Sequence, residues 1–181
     1  MKQRKEYEHT EAGSPVTIPI RNAGMVLFHP FLGTFFSRLG LLENGAFISK
    51  EAQYRGVLLL QYLVTGSHIS EEYEFPLNKL LCGLPIEATV PLEVDLTKKE
   101  KVVAEELFQA IFQRWDKIKN TSVSGFRASF IQREGVLMIQ EENWLLKVEQ
   151  KSYDILLQTL PWALGMIKNT WMNQILTVEW T

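Results

Sequence analysis

The chain has 181 residues, 46% hydrophobic and 22% charged, enough for one core of respectable size. Its 19 basic and 21 acidic side chains leave a net charge of -2, a balance that provides no field to gather DNA or RNA. One cysteine, three scattered histidines and no apolar run near ~20 residues argue against a disulfide framework, a preformed metal site, a secretory leader and a membrane span. The expectation is a soluble protein, made in the cytoplasm, with no cofactor, no nucleic-acid partner and no membrane insertion.

Residues 1–16 are polar, end in Gly-Ser-Pro-Val, and read as a flexible tail before a single domain over 17–181. Between Ala23 and Leu42 apolar residues crowd together. Phe28, Phe31, Leu32, Phe35 and Leu39 keep helical spacing, Pro30 marks a first turn or a kink, and Gly40 a stop. Ser49 caps a second helix that runs to Thr65 and ends at Gly66. Its run Val57-Leu58-Leu59-Leu60, with Leu63 and Val64, is apolar on most faces, so this helix is central or covered by a partner.

Pro76 opens a short helix stopped by Gly83 and Pro85. Thr97 and Glu100 match a capping box, followed by the stripe Val103, Leu107, Phe108, Ile111, Phe112 and Trp115. A short helix is expected from Ser122 to Gln132. The pattern then turns to strand, with a hairpin around Gln140-Glu141-Glu142-Asn143. Tyr153 to Gln158 forms a helical segment after Ser152. The alternating, β-branched ILTVEW is a last strand that pairs with ALGMIK. The fold class expected is α+β, with a mainly helical N-terminal two-thirds followed by a small antiparallel sheet.

No phosphate loop, dinucleotide fingerprint, HExxH or GxSxG is present. Cys82, at a leucine-rich helix end, reads as an inert small hydrophobe rather than a nucleophile. His29 reads as a structural hydrogen-bonding residue, and Glu141 with Glu142 as a solvated turn pair. The aromatic excess is the informative feature. All five tryptophans (Trp115, Trp144, Trp162, Trp171 and Trp180) fall in the second half. Most read as core, although Trp is also favoured at interfaces. The apolar surplus of 23–42 makes that segment the better interface candidate.

The phrases IRNAGMVLFHPF, LLLQYLVTG, LNKLLCGLP, KNTSVSGFRASFIQREG, YDILLQTLPW and LTVEW occur in order across roughly residues 20–180. Together they resemble the domain of contractile injection system tape measure proteins. The resemblance implies a phage-tail-like machine of inner tube, contractile sheath and baseplate, and it implies no catalytic residues. Its partners would be tail tube, baseplate hub or tail-end proteins, in tail assembly or length control. The alternative is a chaperone or adaptor that loads cargo or caps the tube. Within the phrases, Asn22, Asn78, Lys79, Asn120, Thr121, Ser122 and Arg127 stand out as polar positions among apolar ones, suited to capping and buried hydrogen bonds or to partner contact. The candidate interface is Phe28, Phe31, Phe35, Asn78 and Lys79. One departure is Thr170, where the resemblance leads one to expect a proline before Trp171, which puts the turn before the last strand in question. Even as one helix the chain would span only ~270 Å, and as a globule ~40–50 Å. It is therefore not expected to measure a long tail by its own extension.

Overall fold

The computed structural model describes residues 15–180. Most of the expected tail, residues 1–14, lies outside them. Strand β1 (Thr17–Ile20) is the first element described, and a 3-10 stretch (Ala23–Phe31) leads into helix α1 (Leu32–Arg38). Pro30 sits inside the 3-10 stretch, so the spacing read as one helix is divided into two helical geometries. A two-strand ribbon follows, β2 (Leu42–Glu43) with β3 (Ala46–Phe47). Helix α2 (Lys50–Thr65) is capped by the Ser49 hydroxyl and ends at Gly66 with φ 73°, both as the sequence predicts.

Helix α3 (Pro76–Leu81) begins at its proline, and α4 (Lys98–Arg114) has the reciprocal Thr97–Glu100 box. The expected helix 122–132 is shorter and irregular. Helix α5 (Val123–Phe126) passes into a π-type turn over Arg127–Ile131. Strands β4 (Gly135–Gln140) and β5 (Asn143–Val148) form the expected hairpin, with Glu141 at φ 55° in its turn. A 3-10 segment (Ser152–Thr159), strand β6 (Met166–Ile167) and strand β7 (Leu176–Glu179) complete the chain.

The expected fold class, helices first and an antiparallel sheet last, is corrected in three respects. The five-stranded sheet has the order β1-β4-β5-β7-β6, so its first edge comes from the N-terminal end. It is mixed, because β7 runs parallel to β5 while pairing antiparallel with β6. Helical turns also continue between the strands as far as Thr159. The reason is connectivity. The 27 or so residues between β5 and β7 are long enough for a crossover, which returns β7 in the same direction as β5. β1 was hidden because TIPI is short and holds a proline, which an edge strand tolerates.

One row of the sheet, Ile18–Leu137–Leu146–Val178, faces the helices. The same core takes in Met25 to Phe28 and Val57 to Leu60, and it continues through Phe108 and Ile111 of α4 and Trp115 at its C-terminal cap. Backbone contact is closest at Gly24, where an added Cβ would lie 1.7 Å from Phe130 O. Only glycine lets the 3-10 stretch press against the π-type turn there. The turn before β7 forms without a proline: the Thr170 hydroxyl donates to Gly45 O at 2.7 Å, and Met172 N–H to Asn169 O at 3.0 Å.

Candidate functional site

The structure places four of the five candidate interface residues inside the chain. Phe28 and Phe35 are buried, and Asn78 and Lys79 lie on the buried face of α3. The apolar surplus of 23–42 is absorbed because that segment runs through the middle of the molecule, so more than one face is covered. Phe31 alone stays partly exposed, edge-on to Trp162 with ring centroids 5.1 Å apart and with Arg114 stacked 5.4 Å above it.

Most of the polar residues singled out in the sequence find partners within the chain, several of them remote in sequence. Asn78 Nδ2 donates to Val57 O and to Gln61 Oε1, both at 3.1 Å, and its Oδ1 accepts from Asn22 Nδ2 at 2.9 Å. Asn22 Nδ2 also donates to Gln61 Oε1 and Glu74 O. These three amides tie β1's exit, α2 and α3 together. Lys79 Nζ reaches Glu72 Oε1 at 2.6 Å and Ile86 O at 3.0 Å, which keeps a buried ammonium paired. Ser122 caps α5 through Gly125 N–H. Arg127 donates to Leu63 O and Tyr62 O, closing the open carbonyls of α2, and stacks 5.1 Å from the Phe108 ring. Asn120 is exposed, and Thr121 packs its methyl near Gly125.

A second polar centre was not singled out by sequence. Arg133 and Asp154, both buried, form a two-pronged ion pair at 2.7 and 2.9 Å. Trp180 Nε1–H and Lys151 N–H complete the carboxylate's shell, while Arg133 also donates to Glu149 O and Ser129 O. The guanidinium lies between the rings of Trp180 and Tyr153, 5.2 and 5.4 Å from their centroids. Burial pushes the Asp154 carboxyl up. The Arg133 hydrogen bonds and charge, with the Lys151 and Trp180 donors, outweigh it and hold the group below the ordinary carboxylate value. The cluster therefore clasps the π-type turn, the 152–159 segment and the end of β7.

Reactive groups have little access. Cys82 is fully buried, and burial raises its thiol well above the ordinary value, away from the nucleophilic thiolate. His29 lies 2.7 Å by Nε2 from Ala163 O, which fixes the proton there. Burial lowers its pKa, with the Ala163 contact opposing. Among the described residues no group of three or more His, Cys, Asp or Glu side chains could hold a metal ion, and no helix is long and apolar enough to cross a membrane.

What the surface offers is a groove of about 960 Å³ where the ends of β1, β4 and β5 meet the C-terminal end of α2. Ile20, Val64, Val136 and Val148 line its walls, Asn22 and Gln61 lie within it, and Tyr73 stands at its rim, 64% exposed. Asn22 Oδ1 is buried without a partner, a defect that typically costs about 1–3 kcal/mol. Gln61 had a sequence signal, a lone amide inside LLLQYLV, where only a satisfied polar group is tolerated.

The interior polar groups of the chain are largely engaged in holding its shape. The chain belongs to the contractile injection system tape measure protein family, whose sequence profile matches residues 1–180. Membership gives it a structural role in a phage-tail-like contractile injection system. No curated protein and no solved structure matches the chain. The phrases that carry the resemblance meet physically. IRNAG, LLLQYLVTG and LNKLL supply the three-amide network, and FIQREG, YDILL and LTVEW supply the clasp.

Proposed function

We propose that this domain acts in tail-tube assembly or length control through protein–protein contacts with the tube, the baseplate hub or the tail end, and that it does not set length by its own extension. The observation that supports this reading is the brevity of its helices. Among the described residues the longest helix, α4, has 17 residues and spans only about 25 Å. A ruler must span what it measures, whereas a compact body docks. Among the described residues the Cys82 thiol is buried and held protonated and His29 is engaged with Ala163 O, so neither calls for a chemical role. Assembly takes place in the cytoplasm, with the domain then retained in a released or anchored particle.

The test is quantitative mass spectrometry of purified particles prepared with and without cargo. An assembly component is present at one fixed stoichiometry in both preparations. Presence only in cargo-loaded particles would replace this reading with that of a loading adaptor.

A further inference from the structure

At the last turn of α4 an exposed guanidinium is held by aromatic rings and left without an acceptor. Arg38, Arg55, Arg127 and Arg133 are each engaged by a carboxylate or by backbone carbonyls. Arg114 has no hydrogen bond or ion pair among the described residues, and lies 5.4 Å from the Phe31 ring and 5.8 Å from the Trp162 ring. Those rings are themselves fixed. They meet edge to face, Trp162 packs against the buried Trp115 at 6.3 Å, and the neighbouring Ala163 O is held by His29 at 2.7 Å. Stacking restrains the arginine before any partner arrives and leaves its fork of N–H donors for a bidentate acceptor.

Trp162 also borders a small cavity of about 230 Å³, lined with it by Leu157, Leu160, Leu164 and Val178. That is below the range of ordinary small-molecule sites and suits a single aliphatic side chain. The surroundings favour an anion beside it. No acidic residue occurs between Ile155 and Ile167. Just beyond Arg114, the exposed Lys117 and Lys119 outnumber Asp116, which is paired with Lys119 at 3.0 Å. A nucleic acid would need a broader positive field than a chain of net charge -2 supplies, and a phosphate backbone gains nothing from the apolar cavity. A carboxylate next to an aliphatic side chain satisfies both halves, and Arg with Trp is the usual composition of a contact hot spot.

We propose that Arg114, Phe31 and Trp162 form a docking site for an acidic segment of another protein, whose Asp or Glu carboxylate is bridged by the Arg114 guanidinium while a neighbouring aliphatic side chain enters the cavity bordered by Trp162. The site rests on the contact role proposed above and supplies the chemistry of the partner. The two readings fail separately, because particle stoichiometry tests the role and peptide binding tests the site.

The experiment is a nuclear magnetic resonance titration of the full chain, labelled with nitrogen-15. The probe is acetyl-Ser-Leu-Glu-Leu-Ser-amide. Saturable shifts are expected at the Trp162 indole N–H, at the Arg114 side-chain N–H and along 157–165. Glutamine in place of the probe's glutamate should weaken binding at least about tenfold, and so should Arg114→Gln in the protein. Alanine in place of both leucines should weaken it by a similar factor. Arg114 is exposed and bonds to nothing in the fold, so Arg114→Gln should melt close to the parent; the altered probes test the same contacts with the protein unchanged. No saturable shift up to ~10 mM probe, or equal binding by the glutamine probe or by Arg114→Gln, would overturn the proposal. Inorganic phosphate giving the same shifts with equal affinity would reduce the site to a bare anion site and overturn it as well. So would the same shifts arising when the protein alone is concentrated, which would make the occupant a second copy.

Discussion

Asp154→Asn keeps the shape of the clasp and removes its negative charge, leaving the Arg133 guanidinium buried without a counter-ion. Breaking a buried pair in this one-sided way typically costs about 3–5 kcal/mol. Geometry puts this site within that range, since both oxygens are engaged at 2.7 and 2.9 Å and the side chains are 2% and 7% exposed. At ~2–4 °C per kcal/mol for a domain of this size, the melting temperature should fall by roughly 6–20 °C. Thermal and urea unfolding at pH 7 measure it. Replacing both partners, Arg133→Met with Asp154→Leu, should cost far less than the two single changes added, because neither charge is then stranded. The pH dependence has a definite sign. Asp154 titrates below its ordinary value in the folded chain, so its contribution is present above the unfolded value near ~3.9 and is lost as pH falls through the folded one. Asp154→Asn should flatten that acid limb. A loss below ~1 kcal/mol with an unchanged acid profile would refute the clasp as a stabilising element.

Gly24→Ala should give no stable fold or lose at least ~4 kcal/mol, because its Cβ would meet backbone atoms of Phe130 and Ile131 at 1.7 and 2.6 Å. Gly165→Ala, with nothing within 4 Å, should melt within ~0.5 kcal/mol of the parent, and soluble yield with melting curves compares the two. The Cys82 thiol should react with Ellman's reagent only as fast as the chain unfolds, since it is buried and held protonated. Cys82→Ala should lower stability by about 1 kcal/mol and leave particle assembly normal, whereas a folded variant that assembles nothing would give this thiol a function.

Signals contained within a few residues were legible. The Thr97–Glu100 box, the Ser49 cap, the Gly66 stop and the Gln140–Asn143 turn each rest on local hydrogen bonding that the sequence spells out. What escaped depends on distant partners. Strand β1 is four residues and owes its existence to β4, more than a hundred residues away. The parallel setting of β7 follows from a crossover whose path no local pattern records. At the interior the same limit applies. Ser122 could be read as a cap from its own neighbourhood, but Phe28 and Phe35 looked surplus only because the elements covering them are remote in sequence. Arg133 and Asp154, each an ordinary surface type alone, become a buried pair across 21 residues. A charged residue two positions after the apolar Phe130-Ile131 pair was the available hint.

The central claim, that the domain works by contact and not by extension, is tested most directly by the lengths of particles built with Phe31→Asp. Phe31 is the candidate interface residue that keeps exposed surface, and circular dichroism first establishes that the variant is folded. Electron micrographs then give the number of complete particles and their length distribution. The account predicts fewer complete particles, with lengths equal to those of the parent. Abundant particles whose lengths are shifted or broadened would make the domain part of the ruler and contradict it.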